Sequence, residues 1–179
     1  MAELSEEIIA RASKIKLLIL DCDGVLTDGR IFMLPDGDET KSFDVKDGHA
    51  IVMLQRAGVK VGIISGRRSS VVRARAKELG IAHLHEMAWV KTEAYERMLA
   101  EEGCEDEEAC CVGDDVVDIP LLRRAGLAVS VADAVEEAKQ FSHLVTERAG
   151  GRGAVREVVE LILKAQGKWD EALARYIDA

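Results

Sequence analysis

Two aliphatic stretches of this sequence are each followed by a pair of acidic residues that could hold a metal ion. Asp21 and Asp23 come directly after the run Ile15–Leu20, and Asp114 and Asp115 follow a second such run. In an extended chain, a spacing of two directs both side chains to one side. Like charges about 4 Å apart repel by roughly 4 kcal/mol at an effective dielectric of 20, so grouped carboxylates need a cation. Oxygen ligands of this kind suit Mg²⁺, which also binds substrate phosphate.

A third strand-like run, Val59–Ile64, is followed by groups that suit phosphate. Ser65 offers a hydroxyl, Gly66 exposes a backbone N–H, and the helix predicted to begin near Ser69 offers its positive dipole end. Lys91 adds a point charge at the start of another predicted helix. Together these groups predict a phosphoryl-transfer site. Its parts are an aspartate nucleophile, a second aspartate for proton transfer, one metal and a set of phosphate-binding groups.

Strand-like and helix-like segments alternate along the chain, and this alternation must position those residues. Continuous aliphatic runs typical of strands buried on both faces are separated by segments with helical periodicity, most of which end at a glycine. The pattern predicts a Rossmann-like α/β fold, a parallel sheet flanked by helices, in which ligands bind beyond the C-terminal ends of the strands. A β-hairpin at about residues 29–45, closed by Pro35-Asp36-Gly37, is inserted into this pattern.

Composition and charge favour a globular protein that acts on small molecules. The chain has 179 residues, of which 48% are hydrophobic, and this length predicts a single domain over residues 1–179. The net charge of −9 disfavours nucleic acid as the main partner, because phosphate neutralisation needs a basic face. No apolar run approaches the ~18 residues that span a membrane, and the N-terminus lacks a secretion signal. Four cysteines without metal-ligand spacing predict free thiols and a cytoplasmic location.

On these motifs, the sequence resembles the haloacid dehalogenase-like (HAD) phosphohydrolase superfamily. The four motifs of that superfamily match Asp21–Gly29, Ser65, Lys91 and Gly113–Asp118. From about residue 15 to residue 168, the chain is more narrowly similar to the 3-deoxy-D-manno-octulosonate 8-phosphate (KDO 8-phosphate) phosphatase family. The stretches that carry this narrower likeness are Phe43–Gly48, Ile64–Arg67, Leu79–Ile81, Val112–Asp118 and Gly150–Glu157. The resemblance implies a HAD fold without a large cap domain.

The resemblance also implies a role for each matching residue. Asp21 would attack phosphorus to form an aspartyl-phosphate, and Asp23 would protonate the leaving oxygen and then activate water. Ser65 and Lys91 would bind the phosphate and the nucleophile. Mg²⁺ would be held by Asp21, by the backbone carbonyl of Asp23 and by Asp114. Asp115 and Asp118 would support it from nearby.

The substrate that the resemblance implies is KDO 8-phosphate, hydrolysed to KDO and phosphate in lipopolysaccharide precursor biosynthesis. The residues expected to contact it are Asp44, Val45, Lys46, Asp47, Gly48, Gly66, Arg67, Arg75 and Arg152. Arginine suits a sugar-acid carboxylate because it binds bidentately, which favours Arg67. Arg75 is equally well explained as a surface charge. For His49 and His85, packing or surface positions are favoured over substrate contact.

A site at a sheet edge without a cap would be open to water and unselective. The related proteins solve this problem by forming tetramers in which a neighbouring subunit closes each site. Phe32, Met33 and Leu34, near the hairpin tip, fit such an interface, since they would otherwise form an exposed apolar patch. The alternative is that these three side chains pack on their own domain. We therefore expect a homotetramer, whereas the position of the tail, about residues 168–179, is left open.

Three alternative functions are compatible with parts of this pattern. A phosphatase for nine-carbon sialic-type acid 9-phosphates would use the same chemistry, although those relatives tend to carry glutamate where this chain has Arg67. A non-catalytic HAD module associated with sugar-nucleotide synthesis would be expected to lack Asp21, Asp23 or Asp114, and all three are present. A phosphotransferase or mutase would usually carry a cap.

Overall fold

A six-stranded parallel sheet forms the centre of the computed structural model, which describes residues 5–35 and 37–177. The strands of this sheet and of a separate hairpin are, in chain order, β1 (Leu17–Asp21), β2 (Phe32–Met33), β3 (Glu39–Thr40), β4 (Lys60–Ile64), β5 (His83–His85), β6 (Ala109–Gly113), β7 (Leu127–Ser130) and β8 (Leu144–Val145). The sheet order is β5-β4-β1-β6-β7-β8, with all neighbours parallel. Strand β1 is therefore central, with β4 on one side and β6 on the other.

Helices pack on both faces of this sheet. They are α1 (Glu6–Ala12), α2 (Val45–Arg56), α3 (Ser70–Glu78), α4 (Lys91–Glu102), α5 (Ile119–Leu122), α6 (Glu136–Lys139), α7 (Ala154–Ala165) and α8 (Trp169–Ile177). The helices of the described residues are all too short or too polar to cross a membrane. The predicted α/β architecture with an inserted hairpin is confirmed.

The aliphatic sequence of β1 is explained by burial on both of its faces. Because side chains alternate along a strand, Leu18 and Leu20 pack with α2 and α7, while Leu17 and Ile19 pack on the other face with α4 and α5. All four are essentially inaccessible to solvent. A strand fixed on both faces and on both edges gives Asp21, its last residue, a rigid support.

Side-chain capping sets the start of two helical segments. Helix α2 begins at Val45, because the Asp44 carboxylate caps it by accepting from the Lys46 N–H at 2.6 Å. After β6 the chain forms a 3₁₀ turn over 116–118 and then the short α5. Asp118 accepts from the backbone N–H groups of Asp114 and Asp115 and so caps the start of that 3₁₀ turn.

The hairpin is shorter than predicted and reaches into solvent. Strands β2 and β3 pair in antiparallel register, with Phe32 opposite Thr40, and the Leu34 N–H donates to the Asp38 carbonyl at 2.8 Å. Of the predicted Pro35-Asp36-Gly37 turn, Asp36 lies outside the described residues. The exposed fractions of Phe32, Met33 and Leu34 are 56%, 65% and 41%. Within this chain the apolar tip therefore does not pack on its own domain.

A glycine-rich loop at residues 149–153 packs against the backbone that follows β1. The Gly151 N–H donates to the Val25 carbonyl at 2.9 Å, and the Gly150 N–H donates to Asp133 Oδ1 at 2.9 Å. A Cβ atom on Gly150 would collide with the Gly24 carbonyl, and one on Gly151 would collide with the backbone of Thr27. The glycines are needed because two backbone segments touch here, and the loop supports the segment that carries Asp23.

The Gly150→Ala substitution tests this close approach. Since the added methyl group meets backbone rather than a flexible side chain, we expect a loss of about 1–3 kcal/mol or more in the free energy of unfolding. That loss corresponds to a Tm decrease on the order of 5 °C for a chain of this size, measurable by calorimetry. Gly66→Ala is the matched control for stability, because its methyl group would enter open space. Equal Tm values for the two variants would contradict the packing argument.

Candidate active site

Three strand ends bring the chemically active residues to one edge of the sheet. Asp21 ends β1, Ser65 directly follows β4, and Asp114 directly follows β6. Because β4 and β6 are the two neighbours of β1 and run parallel to it, all three residues emerge at the same edge. The sheet order, which sequence patterns do not give, therefore assembles the site.

Lys91, the first residue of α4, lies inside this site rather than on the surface. Its Nζ atom is 2.5 Å from Asp21 Oδ1 and 2.6 Å from Asp118 Oδ1, and its side chain is 5% exposed. Burial by itself lowers the pKa of Lys91, but the two carboxylates outweigh it, so the pKa is raised and the ammonium keeps its charge. Lys91 therefore holds a fixed positive charge against Asp21.

Asp21, Asp114 and Asp118 form an oxygen cluster that fits a divalent cation. Each offers a carboxylate oxygen, and these atoms all lie within 4.8 Å of one another. Two oxygens bound to Mg²⁺ at about 2.1 Å can be at most about 4.2 Å apart, so a small side-chain movement suffices. A Cβ atom on Gly24 would collide with the Asp114 carboxylate, which explains the glycine beside the cluster. The all-oxygen donor set fits Mg²⁺.

Burial and mutual repulsion shift the acidity of this cluster. Burial, followed by the charges of Asp21 and Asp118, raises the pKa of Asp114 to about 8. Burial also raises the pKa of Asp21, although Lys91 opposes part of that shift. One buried ammonium does not balance three carboxylates, and a second positive charge would relieve the repulsion that remains.

Of the two residues predicted to support the metal, Asp118 joins the cluster and Asp115 does not. The exposed Asp115 carboxylate accepts from the Val116 N–H at 2.7 Å and so caps the 3₁₀ turn. Asp118 is buried; its Oδ2 accepts from the backbone N–H groups of Asp114 and Asp115 at 3.1 and 3.3 Å. The Asp115 side chain is thus used by the turn that orients Asp118, and its support of the metal stays a prediction.

Asp23 faces a second charged group that the sequence analysis missed. Its Oδ1 lies 2.6 Å from Nζ of Lys41, and that ammonium lies 3.0 Å from Oε1 of Glu39. The other oxygen of Glu39 accepts from Arg67 Nη2 at 2.9 Å. Burial by itself would raise the pKa of Glu39, but the bonds from Arg67 and Lys41 lower it to about 2. Glu39 in β3 and Lys41 just after that strand stand two residues apart, the same spacing that had singled out Asp21 and Asp23.

The loop after β4 is held by its backbone. Ser65 is buried; its carbonyl accepts from the Ala88 N–H at 3.0 Å, and its Oγ accepts from the Arg67 N–H at 3.2 Å. The N–H of Ser69, at the start of α3, donates to Glu86 Oε1 at 2.7 Å. Glu86 therefore already satisfies part of the positive end of α3, which leaves Ser65 and Lys91 as the stronger phosphate groups.

The residues predicted to contact substrate fall into two sets. Val45, Lys46 and Arg67 are exposed, and Arg152 is exposed beside Asp28, whose carboxylate lies 3.2 Å away. The second set makes contacts within its own domain. Asp44 caps α2, and Gly48 packs on Arg75. Arg75 in turn binds Glu78 and lies over the Phe43 ring. The arrangement favours a structural role for Arg75. The exposed His49 contacts the Tyr176 ring edge-on, and His85 extends β5 as a half-buried residue.

Asp47, predicted to contact substrate, binds the glycine-rich loop in this structure. Its carboxylate is buried and accepts from the Gly153 N–H at 3.1 Å and the Arg156 N–H at 2.7 Å. Both oxygens are thus used by backbone groups at the start of α7. Asp47 is a positioning residue that ties α2 to the loop carrying Arg152.

The chain is similar to known hydrolases over most of its length. A family model described as haloacid dehalogenase-like hydrolase matches residues 35–126. The 3-deoxy-D-manno-octulosonate 8-phosphate phosphatase of Escherichia coli K12 is 44% identical over 174 residues, which cover 97% of this chain and 93% of that protein.

Two crystal structures of similar proteins extend the comparison. The structure of the same phosphatase from Yersinia pestis matches with a TM-score of 0.92 and 44% identity, covering 93% of this chain and 90% of that one. The phosphatase from Moraxella catarrhalis, solved in complex with magnesium, phosphate and KDO, matches with a TM-score of 0.94 and 40% identity. That match covers 97% of this chain and 99% of the other.

The raised pKa values make a prediction about pH and metal affinity. Asp21 and Asp114, with pKa values of about 7 and 8, must lose their protons before they bind a cation. The Mg²⁺ affinity should therefore rise by about tenfold or more between about pH 6 and pH 8 and level off at higher pH. Titration calorimetry in buffers of different ionisation enthalpy measures both the affinity and the protons released.

The Asp114→Asn variant provides the control for that titration. Removing the group with the higher pKa should weaken Mg²⁺ binding and flatten its dependence on pH between about 7 and 8. An affinity of the unmodified protein that does not change with pH would contradict the proton-linked cluster.

Proposed function

This chain belongs to the haloacid dehalogenase-like hydrolases and, within them, to the KDO 8-phosphate phosphatase family, and we propose that it hydrolyses KDO 8-phosphate to KDO and phosphate. The observation that carries the proposal is the oxygen cluster of Asp21, Asp114 and Asp118 around Lys91, in a chain 44% identical to such phosphatases. The nine-carbon acid phosphatase and the non-catalytic module are not favoured. The reaction belongs to lipopolysaccharide precursor biosynthesis.

In the first half of the reaction, Asp21 is the nucleophile. Its carboxylate oxygen forms a bond to phosphorus while the bond from phosphorus to the sugar oxygen breaks. Asp23 gives its proton to that leaving oxygen, which would otherwise depart as an unstable alkoxide. Lys91, 2.5 Å from Asp21, offsets the negative charge that nucleophile and phosphate bring together, and Ser65 donates its hydroxyl to a phosphate oxygen.

In the second half, water releases the phosphate from Asp21. Asp23, now a carboxylate, takes a proton from the water, whose oxygen bonds to phosphorus as the aspartyl bond breaks. Asp21 and Asp23 thereby return to their starting states. Asp21 ends β1 and Asp23 lies in the turn that follows it, so both stand at the same end of the strand.

The acidic residues of the site would hold Mg²⁺. The carboxylates of Asp21 and Asp114 and the backbone carbonyl of Asp23 would be its ligands, and Asp118 would support them by accepting from the Asp114 N–H. When bound, Mg²⁺ supplies positive charge that stabilises the transferring phosphoryl group. The magnesium complex of the Moraxella catarrhalis phosphatase supports this assignment.

Exposed cationic side chains around the site suit the carboxylate of the sugar acid. Arg67 follows Ser65 after one glycine. Lys46 stands next to Asp47, whose carboxylate binds the glycine-rich loop and the start of α7, and this loop, which carries Arg152, packs on the turn after β1. The Arg67 guanidinium can bind a carboxylate bidentately, as it binds Glu39. We assign substrate recognition to these three residues and to the backbone at Gly66.

The exposed hairpin tip supports a homotetramer with sites completed by a neighbouring subunit. Phe32 and Met33 are more than half exposed, and an apolar pair at the tip of a hairpin gains free energy when a second copy covers it. A cytoplasmic location is supported by the cysteines, all four of which are buried as free thiols.

A panel of phosphate esters tests the activity and its nucleophile. With Mg²⁺ present, we expect kcat/KM to be highest for KDO 8-phosphate, above a nine-carbon acid 9-phosphate and a simple aldose phosphate. Chelation by EDTA should abolish phosphate release, and added Mg²⁺ should restore it. Asp21→Asn, nearly isosteric, should reduce kcat by roughly 10³-fold or more at an unchanged Tm.

Asp170→Asn on the exposed face of α8 is the control for that substitution and should keep full activity. Near-full turnover by Asp21→Asn would exclude Asp21 as the nucleophile. Good turnover of another ester with none of a keto sugar-acid phosphate would exclude the proposed substrate.

The oligomer is tested by adding charge to the hairpin tip. Burying Phe32 and Met33 contributes about 1.5–3 kcal/mol each to association. The double variant Phe32→Glu/Met33→Glu should therefore lower the association constant by roughly 10²-fold or more. Light scattering coupled to gel filtration should show a species of lower molar mass. If a neighbouring subunit completes the site, the KM of that species should also be higher in a phosphatase assay. Ile9→Glu, a partly exposed position on α1, is the control. An unchanged mass would contradict the hairpin interface.

A further inference from the structure

The buried ammonium of Lys41 has no role in the reaction as described so far. The Lys41 side chain is inaccessible to solvent, and its Nζ atom lies between Asp23 Oδ1, at 2.6 Å, and Glu39 Oε1, at 3.0 Å. Removing a lysine from water is costly unless close opposite charges compensate it. A buried cation at the base of the hairpin therefore demands an explanation in terms of its two partners.

The contacts of Lys41 are part of a longer row of alternating charges. Glu39 Oε2 accepts from Arg67 Nη2 at 2.9 Å and from Arg67 Nε at 3.3 Å. The row therefore runs from Asp23 through Lys41 and Glu39 to Arg67, whose backbone N–H is bonded to Ser65 Oγ. It connects the proton-transfer carboxylate with the loop that is to bind the phosphate.

The local backbone leaves Asp23 dependent on such a contact. Asp23 sits in an irregular turn after β1, with φ −89° and ψ 94°, so no regular helix or strand fixes its side chain. Among the residues described, Lys41 is the one cation that forms an ion pair with it. Lys41 and Glu39 point to the same side of the extended chain because they stand two residues apart.

The two oxygens of Asp23 are in different surroundings. Oδ1 is fully buried beside the ammonium, while the side chain as a whole is 20% exposed. Oδ2 is thus the oxygen left for exchange of a proton with substrate or water. The contacts of Lys41 are close ion pairs whose angles depart from those of aligned hydrogen bonds, so the ammonium acts as a point charge.

We propose that Lys41 is a positioning residue for proton transfer: its buried charge holds Oδ1 of Asp23 and thereby directs Oδ2 toward the leaving oxygen. Lys41 keeps all its protons and forms no bond in either half of the reaction. Only Asp23 gives a proton, to the sugar oxygen as its bond to phosphorus breaks, and regains one from water. The proposal rests on the phosphatase function proposed above, in which Asp23 protonates the leaving group.

Two substrates with different leaving groups separate positioning from simple stability. A sugar phosphate needs a proton on its leaving oxygen, whereas 4-nitrophenyl phosphate releases a phenolate that is stable without one. The quantity to measure is kcat/KM, because it reports only the steps up to formation of the aspartyl-phosphate, and slow hydrolysis of that intermediate does not enter it.

Lys41→Met removes the charge and keeps the approximate length of the side chain. We expect kcat/KM for KDO 8-phosphate to fall on the order of 10²-fold, the low end of what general acid catalysis contributes, and that for 4-nitrophenyl phosphate to fall less than about fivefold. Lys60→Met, at an exposed lysine that begins β4, is the matched control and should leave both values unchanged.

Equal losses on the two substrates, or no loss on either, would overturn the proposal. If Lys41→Met does not fold, the double variant Glu39→Gln/Lys41→Met is assayed in its place, since it also removes one of the two buried negative charges that faced the lysine. The same ratio of losses decides the outcome. An unmodified protein that hydrolyses neither ester in the presence of Mg²⁺ would instead refute the phosphatase function.

Discussion

The structure depends on the concentration of negative charge at one edge of a buried sheet. Three carboxylates, those of Asp21, Asp114 and Asp118, lie within 4.8 Å of one another, and Lys91 contributes a single positive charge among them. Three negative charges and one positive charge leave a net negative charge that one divalent cation would neutralise. A phosphate monoester, itself an anion, is repelled by such an edge unless a cation is bound there, so the same constraint accounts for the magnesium cofactor.

Rigid backbone contacts keep these charges from moving apart. Strand β1 is buried on both faces and hydrogen-bonded on both edges, and the glycine-rich loop packs directly on the turn that follows it. Asp47 ties that loop to α2, and Asp118 ties the turn after β6 to Lys91. Backbone packing thus holds the carboxylates close together despite their mutual repulsion. Because a bound cation relieves that repulsion, the rigid backbone favours metal binding.

The hairpin connects two properties that would otherwise be independent. Its tip carries exposed apolar side chains that suit contact with another copy of the chain. Glu39, in its second strand, forms an ion pair with Arg67, and Lys41, just after that strand, forms one with Asp23. In a chain without a large cap among its described residues, one short insertion thus carries the proposed subunit interface and the residues paired with Asp23 and Arg67. We expect changes at the proposed interface to affect Asp23 through the ion pairs of Lys41 and Glu39.

The sequence by itself determined the fold class, because buried strands and glycine-terminated helices leave strong periodic patterns. It also determined which strand ends carry chemistry, because Asp21, Ser65 and Asp114 follow directly on aliphatic runs. Tertiary structure decided the rest. That Asp118 rather than Asp115 faces Lys91, that Asp47 is buried under a loop more than a hundred residues away, and that Lys41 meets Asp23 all depend on contacts between distant segments. Charged residues carry no periodic signal, so only the packing of the chain shows which of them are paired.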